Sequence, residues 1–432
     1  MKYFLPYWED WVHKDFDPIT ESYAKTGFEN SIFAHEILDK PIYDGILVSL
    51  GLFELKLKLI KENGLPKIRN SYNIREYLRL PTQFYIMGDC GAFTYINEKN
   101  PILDVEKAVY HYDSLGFDYG ISVDHICSDV IILEDKSKIN EFSFTEITQQ
   151  KSGKFKIVLS EEEKEYRRKL SIENAYKFLK LSKNKSFIPV GAVQGYSIET
   201  YIDSAKQLIE QGYEYLAFGG LVPRKTEFIS KLLDEINKEI DTTKIKVHLL
   251  GILRESLLEK MKEYNVYSFD SASYYRKSWL RATHNYLGID TKWYSAIRVP
   301  QSQISRIRNK ISSNISLSEM EKKENQILKL LRDFDKGHVK NIDAILEEVI
   351  SYDKFFLRDS FNEEKFYNLY KETLESKIWK SCNCEICQSL GIDVIIFRGA
   401  NRNKRRGFHN TFIFYQNILN KKENFMTLCN QK

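Results

Sequence analysis

The stretch FIPVGAVQGYSIETYIDSAKQLIEQGYEYLAFGG, residues 187–220, contains the unit that decides the fold. Phe187 to Val193 is a β-rich apolar run of strand length, and it ends at the polar Gln194. Ile198 to Gln211 is amphipathic and reads as a helix, and a second short run, Tyr215 to Phe218, stops at Gly219-Gly220. Strand, helix and strand in close succession predict two parallel strands joined by a crossover helix.

The same rhythm extends in both directions. Strand-like runs occur at Gly45 to Phe53, Gln83 to Gly88, Tyr119 to Val123, Lys246 to Leu250 and Val266 to Phe269. Helical stretches lie at Val105 to Tyr112, Ser171 to Leu181, Thr226 to Ile240 and Arg254 to Tyr264. An open doubly wound sheet and a closed barrel share this pattern, and the polar residues decide between them. Asp89, Asp124, Gln194, Gly219 with Gly220, and Asp270 all follow the carboxyl ends of different runs. A barrel gathers those ends on one face, whereas an open sheet strings them along an edge. The expectation is an α/β fold: a (β/α)8 TIM barrel with insertions over residues 1–310, then a helical, zinc-binding subdomain over 311–432. The charged segment Glu134 to Glu165 reads as an excursion on the barrel rim, and Leu317 to Asp333 and Ile342 to Tyr352 as helices of the extension.

Composition narrows the class. The chain has 432 residues, 43% hydrophobic and 29% charged, with a net charge of +4, which describes a globular protein and does not by itself call for a nucleic-acid partner. The longest apolar run, Gly45 to Phe53, is far too short to span a bilayer, and Met1 opens no secretion signal because Glu9, Asp10 and Asp15 follow closely. A cytoplasmic location without a membrane partner is therefore expected.

Of the six cysteines, Cys382, Cys384 and Cys387 form Cys-x-Cys-x-x-Cys, with His409 downstream, while Cys90, Cys127 and Cys429 are scattered. Three thiolates and one imidazole suit tetrahedral zinc, and a closed four-ligand site predicts a structural ion. The adjacent basic run Arg398, Arg402, Lys404, Arg405 and Arg406 reads either as a solvated loop or as a cradle for a phosphate backbone, and its place beside a rigid metal unit favours the cradle.

Asp89-Cys90-Gly91-Ala92-Phe93, Val123-Asp124, Gln194-Gly195, Gly219-Gly220-Leu221, His248-Leu249-Leu250-Gly251, Phe269-Asp270 with Arg276, and the cysteine motif ending in His409-Asn410 form an ordered set. Together they resemble the tRNA-guanine transglycosylase superfamily over roughly residues 84–415. The resemblance implies a pentosyltransferase with Asp270 as nucleophile and Asp89 as general acid/base. It further implies that Asp124 reads the N1 and amino edge of guanine, that Gln194 and the Gly220 amide lie near O6, and that Phe93 and Leu250 sandwich the base. Gly219, Leu221 and Arg276 complete the substrate residues, and Cys382, Cys384, Cys387 and His409 hold structural zinc. These residue types suit base exchange: one carboxylate attacks C1′, a second carboxyl moves the proton, and a flipped-out base needs a flat platform and a polar edge-reader. Taken singly they have plainer uses, with Asp89 and Asp270 as helix caps, Asp124 paired with His125, Gly219-Gly220 as a turn, and Phe93 and Leu250 as core.

Two departures separate the chain from the tRNA-modifying pattern. Cys90 and Ala92 replace small residues of the usual Asp-Ser-Gly-Gly-Phe motif, and Ser271 to Tyr275 lacks the proline-threonine pair expected before Arg276. The opening Phe4-Leu5-Pro6-x-Trp8-x-Asp10-x-Val12, then Phe16-Asp17, is similar to the start of the DNA-guanine transglycosylases of 7-deazaguanine DNA modification; its plainer reading is a hydrophobic staple at the barrel bottom. The expected partners are DNA, with tRNA as the alternative, a 7-deazaguanine such as preQ0, accessory modification proteins, and a second copy of the chain in a homodimer. A non-catalytic paralogue that binds nucleic acid is the alternative of a different class.

Overall fold

Eight parallel strands close into a barrel in chain order: β1 (Lys2–Pro6), β2 (Gly45–Ser49), β3 (Tyr85–Asp89), β4 (Tyr119–Ile121), β5 (Ile188–Val193), β6 (Tyr215–Phe218), β7 (Lys246–Leu249) and β8 (Ser268–Asp270). The computed structural model describes residues 1–24, 27–52, 60–62, 65–68, 71–303, 316–357 and 362–419. All seven runs read as strands from the sequence are barrel strands. The run from Gly45 is shorter than expected, turning helical at Leu50–Leu52, and Phe53 lies outside the described residues. The eighth strand is Lys2–Pro6. It is no staple at the barrel bottom, for it pairs with β8 (Phe4 to Asp270) on one side and with β2 (Phe4 to Gly45) on the other.

Alternation along the strands fills the interior. Phe4, Leu47, Met87, Tyr119, Ile121, Val190, Ala192, Tyr215 and Ala217 form one buried cluster drawn from six strands, with Tyr85, Leu250 and Tyr267 packed against it. Gly45 is where the inward face can hold no side chain: a Cβ there would lie 2.6 Å from Cε1 of Phe4 and 2.5 Å from the carbonyl oxygen of Tyr85. The outer helices are α1 (Val105–Leu115), α2 (Glu161–Leu181), α3 (Ile198–Gln211), α4 (Thr226–Glu239) and the short α5 (Leu258–Glu263). Local chemistry sets their ends. Ser197 caps α3 by accepting from the Thr200 amide, and Gly212, at φ 106°, terminates it in the left-handed region. The expected rim excursion is a three-stranded antiparallel sheet of Val130–Leu133, Phe144–Gln149 and Phe155–Leu159, with its own small core of Ile131, Leu133, Ile139, Phe142, Ile157 and Leu159. It ends earlier than Glu165, because Ser160 caps α2 from Glu161 onward.

The expected boundary at 310/311 lies among undescribed residues, and the compact units divide elsewhere. One unit is Met1–Trp8 with Tyr43–Ala272, the barrel, and the other is Glu9–Ile42 with Ser273–Lys432. The reason is local packing. Once β8 ends, α6 (Ser273–Leu280) lies against the terminal helix: Tyr275 stacks on Phe408 at 5.5 Å, and a Cβ on Gly407 would sit 2.5 Å from the Tyr275 ring. The second unit continues with α7 (Leu317–Asp335), α8 (Ile342–Leu357), α9 (Glu363–Ser376), α10 (Glu385–Leu390) and α11 (Ala400–Ile413). No described helix is long and apolar enough to cross a membrane.

The basic run is neither a solvated loop nor a phosphate cradle. Arg402 and Arg406 have no exposed surface, Arg398 and Arg405 are buried, and each is committed within its own unit. Arg402 bonds Asp393 (3.0 Å), Glu21 and the Pro18 carbonyl. Arg398 bonds Glu324 (2.5 Å) and Glu21 (2.9 Å), and Arg406 donates to the carbonyls of Val394, Ile396 and Ser278. Arg405 and Lys404 donate to main-chain carbonyls of His13 and of Glu9 and Trp11. These cations tie the 9–42 segment to the terminal helix. Replacing Arg402 by Ala, which leaves Asp393 with Arg332 and Glu21 with Arg398 as the remaining cation, is expected to lower unfolding free energy by about 1.5–3 kcal/mol. The salt dependence of DNA binding should not change. Denaturant titration and binding at several salt concentrations check both, and a shallower salt slope with intact stability would restore the phosphate-contact reading.

Candidate functional site

The carboxyl ends of the barrel strands bring the expected polar residues together. Asp89 is the last residue of β3 and shares the inward parity of Met87, and Asp270 is the last of β8 with the parity of Ser268. Gln194 and Gly219 directly follow β5 and β6, and Asp124 lies three residues past β4. Asp270 is buried, and its Oδ1 accepts from the Gly251 amide at 2.8 Å and lies 3.1 Å from Nε2 of His248. Asp89 is part-buried and accepts from the Gly91 amide at 3.1 Å, with the Ser49 hydroxyl also bonded to it. Burial, then the charges of Asp124 and Asp270, push the Asp89 carboxyl up to about 7, outweighing those two hydrogen bonds. Asp89 therefore lies near enough to Asp124 and Asp270 to feel the charge of both at the carboxyl ends of the strands.

Asp124 is not paired with His125. Its Oδ1 accepts from the Cys90 thiol at 2.9 Å and its Oδ2 from Nε2 of Gln194 at 2.5 Å, while Nε2 of His125 lies 3.0 Å from the carbonyl oxygen of Glu98. Burial pushes the Asp124 carboxyl up and the His125 imidazole down to about 3. Tyr95 fixes the loop, with its hydroxyl on the Asp124 carbonyl at 2.9 Å and 3.0 Å from the Cys90 sulfur. Gln194 is left with Oε1 buried and, among the described residues, without a hydrogen-bond partner. Gly219 and Gly220 let this amide pack closely: a Cβ on Gly219 would overlap Nε2 of Gln194, and one on Gly220, at φ 67°, would sit 2.9 Å from Oε1.

The apolar candidates differ among themselves. Phe93, on the short turn Ala92–Thr94, is 58% exposed and so is not core, while Leu250 is part-buried against the barrel interior. Leu221 is fully buried, leaving only its main chain to meet a ligand. Arg276 belongs to α6 in the second unit. Two residues of this site carried no role in the sequence. Cys90 follows Asp89 and orients Asp124, and His248 lies two residues before Leu250 on the inward face of β7 and contacts Asp270. The available signal for His248 was strand parity with Leu250.

A second constellation lies in the other unit. The ligand atoms of Cys382, Cys384, Cys387 and His409, all buried, lie within 4.8 Å of one another and could hold a metal ion. Nδ1 of His409 is 3.7, 3.4 and 3.3 Å from the three sulfurs in that order. Thiolate and imidazole donors around one tetrahedral ion stand roughly 3.5 Å apart, so the spacing fits. The other ring nitrogen, Nε2, is 2.7 Å from the Leu287 carbonyl oxygen, and Tyr286 stacks on the ring at 4.4 Å, so the imidazole is oriented with Nδ1 toward the sulfurs. Cys90 and Cys127 are buried elsewhere, and Cys429 lies outside the described residues.

No family model matches the chain. A curated relative does: a DNA-guanine transglycosylase of Salmonella montevideo is 32% identical over 426 residues, 97% of this chain and 96% of the relative. The match covers nearly the whole chain, both compact units included, and the chain belongs to the DNA-guanine transglycosylase family.

Proposed function

We propose that the chain exchanges guanine in DNA for a 7-deazaguanine, with preQ0 as the incoming base, through a covalent glycosyl-enzyme. The observation that carries this reading is a pair of carboxyl groups in one barrel mouth with unlike environments. Asp270 is anchored through one oxygen by an amide and an imidazole, and Asp89 is pushed up to about 7, where it can hold or release a proton near neutrality. Asp270 attacks C1′ as the bond to N9 of guanine breaks, and Asp89 protonates the leaving base. The incoming base then displaces Asp270 while its N9 proton passes to Asp89.

The acceptors around the base site suit a donor-rich edge. Guanine offers N1–H and an amino group to Asp124, whose carboxylate has lone pairs beyond those used by Cys90 and Gln194. Gln194 and the Gly220 amide lie toward O6, Gly219 and the Leu221 main chain allow close approach, and Phe93 and Leu250 flank the ring. Arg276 is assigned to the substrate by the family resemblance alone. DNA rather than tRNA follows from the substrate in the relative's name. A pure binder would gain nothing from several acidic groups facing a polyanion, which disfavours the non-catalytic paralogue. The cysteine-histidine group would hold zinc, which when bound would cross-link the terminal unit and supply no chemistry to the exchange.

Three outcomes follow. With labelled preQ0 and duplex DNA, single-stranded DNA or tRNA, label enters DNA, Asp270→Ala abolishes incorporation while DNA binding persists, and Asp89→Asn stalls it; label in tRNA alone would reverse the substrate. Because a carboxyl raised to about 7 keeps its proton below that pH and loses it above, kcat/KM for guanine release from DNA falls as pH rises through about 7. A profile flat from pH 6 to 9 removes Asp89 as the acid. Metal analysis of the purified chain gives about one zinc per chain, which Cys384→Ser loses together with thermal stability; a fully stable, metal-free protein would show the cluster to be unmetallated.

A further inference from the structure

Behind Asp270 runs a chain of buried polar groups. The Tyr215 hydroxyl lies 2.5 Å from Oγ of Ser268, that oxygen lies 2.7 Å from Nδ1 of His248, and Nε2 of His248 lies 3.1 Å from Oδ1 of Asp270. Tyr215, Ser268 and His248 are all buried, and three different strands supply them in the barrel interior. Phe4 packs edge-on to the imidazole, with ring centroids 5.9 Å apart.

The protons can be placed by counting. Asp270 as a carboxylate only accepts, so Nε2 carries a hydrogen; a neutral imidazole then presents its Nδ1 lone pair, and the Ser268 hydroxyl donates to it. Ser268 then accepts from Tyr215. Ser268 and His248 each use one donor and one acceptor, Tyr215 donates, and every bond points toward Asp270. Both donors to Asp270, His248 and the Gly251 amide, fall on Oδ1, which leaves Oδ2 as the oxygen for C1′.

We infer that His248, fixed in its Nε2–H form by Ser268 and Tyr215, is a positioning residue that presents Oδ2 of Asp270 for attack and stabilises the carboxylate as it leaves. The inference rests on the proposed covalent exchange. In the second half-reaction N9 of the incoming base bonds C1′, its proton goes to Asp89, and the C1′–Oδ2 bond breaks with its electron pair returning to Asp270. Negative charge then reappears on the carboxylate, where the hydrogen bond to Oδ1 strengthens. Its loss slows breakdown of the glycosyl-enzyme more than its formation.

The test compares wild type, His248→Leu, Ser268→Ala and His248→Gln in the labelled-base assay, with DNA-linked protein measured after denaturation at steady state. His248→Leu is expected to lower kcat about ten- to a hundredfold, the range of one hydrogen bond to a charged group. KM for DNA should change little and the DNA-linked fraction should rise. Ser268→Ala, which frees the imidazole to move its proton to Nδ1, shifts both in the same direction by less, and His248→Gln, with an amide donor, recovers part of the rate. A purely structural role would lower activity without raising the linked fraction. Wild-type values for His248→Leu, or for Ser268→Ala should the leucine variant fail to fold, overturn the inference. Nitrogen NMR of histidine-labelled wild type reads the tautomer without any activity: Nε2–H supports the inference and Nδ1–H overturns it. Absence of exchange by wild type alongside an Nε2–H signal would instead fault the exchange reading.

Discussion

The backbone pairing of β1 with β8 on one side and β2 on the other fixes where the carboxyl groups meet. Phe4 stands opposite Asp270 in one ladder and Gly45 in the next, and Ser49 at the far end of β2 stands opposite Asp89. Two strands of hydrogen-bonded backbone thus set the span between the proposed nucleophile and the proposed acid. Strand parity does the rest, because a slip of one residue in either ladder would turn a carboxylate out of the barrel.

That geometry has an electrostatic consequence. Several acids at the closed end of one barrel cannot all keep full charge cheaply, and the mouth resolves the conflict by unequal support. Asp270 has two donors on one oxygen, Asp124 has a thiol and an amide, and Asp89 has the Gly91 amide and the Ser49 hydroxyl, while burial pushes both Asp89 and Asp124 up. The acid that rises to about 7 is the one the proposed mechanism needs to carry a proton. The same crowding explains why Gly219 and Gly220 stand beside Gln194: the amide that neutralises part of the Asp124 charge has no room for a neighbouring Cβ.

Much of this was legible in the sequence, and for identifiable reasons. Short apolar runs ending in Asp, Gln or Gly are what barrel strands become at their catalytic end, and three cysteines within six positions are hard to use otherwise. What escaped was information held by partners distant in the chain. Lys2–Pro6 is brief and sits far from the other strands, so its role appears only when β8 and β2 flank it. Arg398, Arg402 and Arg406 are four residues apart, the spacing of one helix face, yet Glu21 and Glu324, which with nearby Asp393 pair Arg398 and Arg402, and the Ser278 carbonyl that Arg406 reaches lie far away in the sequence. A charge run read without its counter-ions looks like surface. The expected 310/311 boundary falls among undescribed residues, and the run from Ser273 gives no local sign that Tyr275 stacks on the terminal helix.

Base exchange by this route requires Asp270 to form a bond to the sugar of DNA. Quenching the enzyme in acid during exchange, digesting the protein and mapping the nucleotide-bearing peptide by mass spectrometry tests that bond directly. The adduct is predicted on the peptide that contains Asp270, as an ester that hydroxylamine cleaves. An adduct on another residue, or efficient exchange with no adduct detectable under any quench, would contradict it.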